Sequence, residues 1–228
     1  KKQVNGSWLQ EAKLLPDASD AIGTFGWSVA ISGDYVAISD FVGQQPPGPP
    51  FDTSQVYIFK RTGTTWNKES RLSETAAEVN SGFGSEFGGS VAISGDYLLI
   101  GAKKNNGNTG SAIVYKRTGT TWGRDTSLFH NITNIPSTSF FGTSVSINGN
   151  YLAVGSPGEH DNSGPPLFTQ LNQSGRVYIY KLTGTQWVFQ KKLLPGTYGG
   201  NISQPVITGF GSNVSLYGDK IIVGANLD

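Results

Sequence analysis

Cysteine and methionine are both absent from the 228 residues. Without cysteine there is no disulfide and no thiolate metal site, and the redox compartment is not legible. Charge is scarce too. Charged residues make up 14% of the chain, the formal net charge is +1, and no Lys/Arg run exceeds two residues. That balance excludes the electrostatic footprint of a nucleic-acid or anionic-membrane binder. No apolar run approaches the roughly 18 residues of a membrane span, so no membrane insertion is expected. The only histidines, His130 and His160, lie on separate segments. No Gly-x-Ser-x-Gly elbow, phosphate loop or His-Glu-x-x-His is present. Gly82-Phe83-Gly84-Ser85-Glu86-Phe87-Gly88 has the wrong glycine spacing for a dinucleotide loop, and a strand follows it. The expectation is therefore no enzyme and no catalytic residue. The chain starts at Lys1 with no signal-peptide pattern, which reads as a mature or trimmed segment.

What is plentiful is glycine, 31 residues, and aromatic side chains, 11%. This is a turn-rich β composition. One sentence recurs. Phe25-Gly26-Trp27-Ser28-Val29-Ala30-Ile31-Ser32-Gly33-Asp34-Tyr35 returns from Phe87 to Tyr97 and from Phe141 to Tyr151, and more loosely from Phe210 to Lys220. The starts lie 62, 54 and 69 residues apart. A period that long, filled with short strands, predicts a propeller-type or stacked β array.

Within a unit the first strand is Ser28–Ser32 or its copy, closed by a tight Ser-Gly-Asp or Asn-Gly-Asn turn. The second strand (Tyr35–Ser39, Tyr97–Gly101, Tyr151–Gly155, Lys220–Gly224) is a near-continuous apolar run, the pattern of a strand buried on both faces. The third carries Val56-Tyr57-Ile58-Phe59-Lys60, Ile113-Val114-Tyr115-Lys116 or Val177-Tyr178-Ile179-Tyr180-Lys181. A Thr-Gly turn leads to a fourth strand opened by Trp66, Trp122 or Trp187, and Trp8 opens a similar segment. The fold class is all-β: a β-propeller of four-stranded antiparallel blades. It has three complete repeats and partial units at both ends, across residues 1–228. Lys1–Pro16 is expected to be the outer strand of a preceding or closing blade.

These residues resemble the FG-GAP repeat, the blade unit of the integrin alpha-subunit propeller and of many secreted bacterial proteins. The Phe-Gly pair is present in all four units, and the second element appears as Gly101-Ala102-Lys103, Gly155-Ser156-Pro157 and Gly224-Ala225-Asn226, decayed to Ile38-Ser39-Asp40 in the first unit. The resemblance implies part of a larger, typically seven-bladed propeller. It also raises the question of calcium, which such blades bind through an Asp-rich turn. Here the turns carry one carboxylate at most (Asp34, Asp96, Asp219), and Ca²⁺ takes six to eight oxygens. No cofactor is expected, no metal residue is assigned, and these aspartates read as turn formers. Phe reads as packing between blades, and Trp as covering the blade edge. Of two looser acidic groups, Asp17/Asp20 reads as satisfying backbone donors. Glu159-His160-Asp161-Asn162 reads as a solvated loop or, alternatively, a metal site.

Two kinds of turn are short and uniform; the other connections vary. The variable ones are Val42–Ser54, Lys103–Gly110 and Pro157–Gly175 within units, and Pro16–Thr24, Ser73–Glu86, Asn131–Phe140 and Pro195–Gly209 between them. In an up-and-down blade both kinds emerge on one face, where recognition surfaces are commonly built. The candidate binding residues there are Phe51, His160, Asp161, Leu167, Phe168 and Tyr198. Sequons occur at Asn5, Asn131, Asn172, Asn201 and Asn213, the last inside an expected strand.

The reading is an extracellular or cell-surface binding and adhesion module for a protein or glycan. Two alternatives stand beside it: a spacer or subunit of a large surface adhesin or filament, joined to neighbouring copies or segments of the same protein, and an accessory domain of a secreted hydrolase.

Overall fold

A computed structural model describes residues 1–2, 4–17, 24–41, 54–74, 85–128, 138–159, 174–195 and 209–226. The first blade holds β1 (Thr24–Ser32), β2 (Tyr35–Phe41), β3 (Gln55–Thr62) and β4 (Thr65–Ser73). The second holds β5 (Phe87–Ser94), β6 (Tyr97–Ala102), β7 (Ser111–Thr118) and β8 (Thr121–Leu128), with a helical turn, α1 (Asn105–Asn108), between β6 and β7. The third holds β9 (Ser144–Asn148), β10 (Tyr151–Ser156), β11 (Arg176–Thr183) and β12 (Gln186–Leu193). A two-stranded sheet, β13 (Phe210–Tyr217) and β14 (Lys220–Ala225), follows. Each four-stranded sheet is an antiparallel meander in sequence order.

The register fixes two rims. Turns 33–34, 95–96, 149–150 and 218–219 and turns 63–64, 119–120 and 184–185 join strands on one, the hairpin rim. Gly takes the first central position of each at positive φ, as at Gly33 (57°) and Gly63 (63°). The residue after it keeps negative φ, which is the type II′ pattern that follows strand twist. All other connections leave from the opposite rim, the loop rim.

The blades stand side by side through their first strands. In each seam the outgoing face of one blade meets the incoming face of the next. Ala37, Val56 and Ile58 pack against Val91, Ile93 and Ile113; Leu99, Ala112 and Val114 pack against Val145, Ile147 and Tyr178. Full burial of such a side chain stabilises by about 1.5–3 kcal/mol, so the seams carry much of the stability. Hydrogen bonds recur across them. The Gly95 and Gly149 amides donate to Ser32 Oγ and Ser94 Oγ, and the Gly218 amide to Asn148 Oδ1, each at 3.1 Å. Ser90 and Ser144 hydroxyls donate to the carbonyls of Gly142 (2.9 Å) and Gly211 (2.7 Å).

The Phe-Gly pair lives on the same seams. Phe87 and Phe141 are fully buried. A Cβ on Gly101 would lie 2.0 Å from Gly142 O, and one on Gly155 would lie 2.0 Å from Gly211 O. The two halves of the repeat motif therefore touch between consecutive blades rather than within one. In the first blade Ser39 replaces that glycine, and a Cβ on Gly88 would come to 3.0 Å from Ser39 Cβ.

Two expectations change. Residues 8–15 form no strand; Trp8 makes only an isolated bridge to Lys2. The segment still runs beside the first blade, where Leu14 packs against the cluster of Ile38, Tyr57 and Phe59. Without its own sheet the segment finds side-chain partners and no ladder. Nor does the Trp series cover a free edge. Trp122 and Trp187 are buried in the seams, edge-on to Tyr35 and Tyr97 of the blade before (5.9 and 5.3 Å between centroids). Those tyrosines also face cross-strand lysines, Lys60 and Lys116, each 5.6 Å from the ring centroid.

Candidate functional site

Strand ends put the site on the loop rim. Its base is built from polar groups that the rim buries. Gly110 bridges Phe141 and Gly175 bridges Phe210, so each incoming Phe-Gly hangs on the start of the previous blade's third strand. The Phe141 amide donates to Thr109 O at 3.0 Å, and the Phe210 amide to Ser174 O at 3.2 Å. Ser156 Oγ donates to Ser139 O at 2.9 Å. The loop bases of neighbouring blades are thus tied together by backbone.

Two carboxylates anchor the rim. Glu86 precedes β5 in the left-handed region (φ 58°) and pairs with Lys103 Nζ at 3.0 Å and Lys104 Nζ at 2.5 Å. It joins the entry to the second blade to the turn after β6. Glu159, after β10, is 5% exposed and accepts the Tyr178 hydroxyl at 2.8 and 2.7 Å. Lys192 Nζ stands 3.6 Å away. Burial pushes the Glu159 carboxyl above its ordinary value, while the Tyr178 hydrogen bond and Lys192 pull the other way. Burial, then the Glu159 charge, pushes Tyr178 far up. Tyr178 therefore stays a neutral donor. The Gly175 amide also donates to Glu159 O at 3.0 Å, closing the base of the connection.

Glu159 is therefore not a solvated loop residue. Its carboxylate is committed to Tyr178 because a buried tyrosine hydroxyl needs a partner. Asp17 differs from expectation as well: it pairs with Lys68 at 2.5 Å and Arg71 at 3.7 Å, side chains of β4 rather than backbone donors. Among the described residues no three of His, Asp and Glu come together. Phe51, His160, Asp161, Leu167, Phe168 and Tyr198 all lie outside the described residues, as do Asp20 and the sequons at Asn131, Asn172 and Asn201. Asn213 lies in β13, as expected. Asn5 accepts from the Ser7 amide at 3.0 Å.

The Glu159–Tyr178 pair escaped sequence reasoning. Its signal was a tyrosine in the middle of an apolar strand, facing inward with a hydroxyl to satisfy. What the rim does chemically is hold loop bases at fixed positions. There Glu86 pairs with Lys103 and Lys104, and Glu159 with Lys192.

The family comparison agrees with the repeat. The FG-GAP repeat family model matches residues 8–59, 66–115 and 136–180. Each match takes in the first, second and third strands of one unit, β1–β3, β5–β7 and β9–β11 in turn. No curated protein matches significantly. Among solved structures, a prolyl endopeptidase is similar at 15% identity and a TM-score of 0.43 over 86% of this chain. The chain spans 23% of that protein's length. A Xanthomonas type IV secretion system related protein is similar at 14% identity and a TM-score of 0.33, over 73% of this chain and 80% of its own.

Proposed function

The chain belongs to the FG-GAP repeat family, and from that premise we propose that it is a non-enzymatic recognition module, acting outside the cell or at its surface. It binds a protein or glycan through the connections of the loop rim. One observation carries the reading: the uniform turns occupy one rim, and every connection that differs between units departs from the other. A rigid seam beneath variable loops is the usual construction of a recognition surface. The anchored bases support it, since Glu86 and Glu159 fix where the loops start at little entropic cost to a ligand. No helix among the described residues is long and apolar enough to cross a membrane. In this proposal Phe51, Leu167, Phe168 and Tyr198 supply apolar contacts, and His160 and Asp161 supply polar ones. Neither calcium nor another cofactor takes part.

The test is a glycan array and a pull-down with two variants, one shortened in Val42–Ser54 and one in Pro157–Gly175. The expected result is binding by the parent chain that either deletion abolishes. Binding unchanged by both would overturn the choice of rim. Turnover of a substrate by the chain alone would overturn the non-enzymatic reading.

A further inference from the structure

One position on the loop rim carries a charge that its counterparts lack. Gln55, Ser111 and Arg176 open β3, β7 and β11, opposite Asp40, Ala102 and Ser156 at the ends of the second strands. All three are buried, Arg176 to 5% exposure. In the second blade the connection itself supplies a partner: Asn105 Nδ2 donates to Ser111 Oγ at 3.0 Å. In the first blade Gln55 Oε1 is buried with no hydrogen-bond partner among the described residues, but Gln55 is neutral. Arg176 brings a full positive charge to the same buried place.

Its guanidinium is held from one side. Nη1 donates to Ser174 Oγ and to Gly175 O, each at 2.6 Å. Nε is buried and has no hydrogen-bond partner among the described residues. Arg176 takes part in none of the rim's described ion pairs, which join Glu86 to Lys103 and Lys104 and Glu159 to Lys192. Glu159 does not fill the role. Both its oxygens accept from Tyr178. Burial acts most on its carboxyl, Tyr178 and Lys192 follow, and Arg176 acts on it through charge alone. The backbone beneath Arg176 is fixed. Gly175 bridges Phe210, and a Cβ on Gly211 would lie 2.5 Å from Arg176 O. A buried guanidinium with an open donor edge is costly until an anion meets it.

We propose that Arg176 is a carboxylate subsite, which takes the side chain of a glutamate on a protein ligand. The inference rests on the recognition reading of the loop rim. Nε and Nη2 form the side-on fork of an arginine, which grips a carboxylate through two parallel hydrogen bonds. Charge selects the carboxylate. With Glu159 ionised, Arg176 and Lys192 leave one positive charge, which one carboxylate neutralises; a phosphate monoester carries about −1.5 to −2. Depth selects its source. A glutamate carboxylate ends a slender, flexible stem and reaches a recessed fork, whereas the carboxylate of a uronic acid sits directly on a sugar ring. Lys192 stands opposite Tyr178 with its side chain 36% exposed, so it adds attraction while Arg176 supplies the geometry. The fixed backbone and the Ser174 and Gly175 contacts hold the fork in place before the ligand arrives.

Calorimetry of the 228-residue chain at low salt, with tetraglutamate, tetraglutamine and tetragalacturonate as probes, tests this. The parent is expected to bind tetraglutamate and neither of the others. Arg176→Gln gives the third blade the residue that the first already has, and should weaken binding by about tenfold or more with unchanged circular dichroism. Arg176→Lys keeps the charge without the fork and should recover only part of the affinity. Lys220→Gln, beside the 218–219 turn of the hairpin rim, should leave it unchanged. No binding of tetraglutamate, binding indifferent to Arg176→Gln, full affinity in Arg176→Lys, an equal loss in Lys220→Gln, or preference for tetragalacturonate would each overturn the proposal. Its failure is separable from that of the wider reading. A ligand found by array or pull-down that needs the loops but not Arg176 removes this subsite and leaves the recognition module standing.

Discussion

Trp122 donates its indole Nε1 proton to Oε1 of Glu69, 3.1 Å away across the first seam. Glu69 is the extra residue of a β-bulge: Phe59 pairs with Lys68 and Ile58 with Ser70, leaving Glu69 unopposed. The same bulge falls on Asp125 in β8 and Gln190 in β12. A bulge re-aims one side chain out of the sheet's alternation, and here it points an acid at the next blade's tryptophan. At the second seam the acid is aspartate, one methylene shorter, and Trp187 Nε1 is buried with no hydrogen-bond partner among the described residues.

Asp125→Glu is expected to supply that partner. The gain should be about 1 kcal/mol, and Asp125→Asn should give none. Glu69→Ala, which leaves the buried Trp122 indole unsatisfied, should cost about 1–3 kcal/mol. Thermal unfolding checks all three, since 1 kcal/mol moves Tm by about 2–4 °C in a chain of this size. Equal Tm for Asp125→Glu and the parent would refute the account of Trp187.

The seam glycines differ from the turn glycines, and alanine separates them. Gly142 has φ 92°, and a Cβ there would lie 2.2 Å from Ser111 O. Gly95 has φ 57° with open space around it. Gly95→Ala should cost about 1–2 kcal/mol, from backbone conformation alone. Gly142→Ala adds a collision with backbone that side-chain motion does not relieve, and should cost about 3 kcal/mol or more. Urea unfolding of the two variants is the comparison; similar midpoints would show that the seam is looser than described.

Glu159 gives stability a pH signature. Its carboxyl is raised above the ordinary 4.5 because it is buried. Between that value and its folded pKa the native state holds more protons than the unfolded one, so this group's contribution falls as pH rises through the window. Glu159→Gln keeps an acceptor for Tyr178 and does not titrate. Denaturation measured across the acid range should show a flatter profile above pH 4.5 in the variant than in the parent. Superimposable profiles would contradict the burial of this charge.

The Glu11 ion pair predicts how residues 8–14 are held. Arg61 hydrogen-bonds to Glu11, Nη2 to Oε2 at 3.0 Å, and lowers the Glu11 carboxyl below its ordinary value. The tie is therefore complete above that value and weakens as pH falls. Glu11→Gln should speed proteolysis at Lys13 while leaving the blades intact by circular dichroism. Unchanged cleavage would mean that Leu14 alone holds the segment.

The four-strand unit, its order, and the split between uniform and variable connections were all legible in the chain. Phe-Gly, the Gly-x turns and the alternation of apolar residues are local signals, and each β period or tight turn has one cheap backbone solution. The outer-strand bulge was not legible, because no residue type around Glu69 or Asp125 marks the extra position until the register is known. Glu159 read as a loop acid because its partner, Tyr178, is brought to it only by pairing of β10 with β11. Residues 8–15 read as a strand because their side-chain pattern is that of one, but a ladder needs a neighbour as well as a pattern. Sequence by itself thus determined the blade and where its turns lie, since these follow from backbone sterics and short-range periodicity. Only the tertiary structure decided what the repeat motif is for, because Gly101 against Gly142, Trp122 on Glu69 and Ser32 on Gly95 are contacts between units. Such contacts depend on the twist and stacking of whole sheets, which no single copy of the repeat specifies.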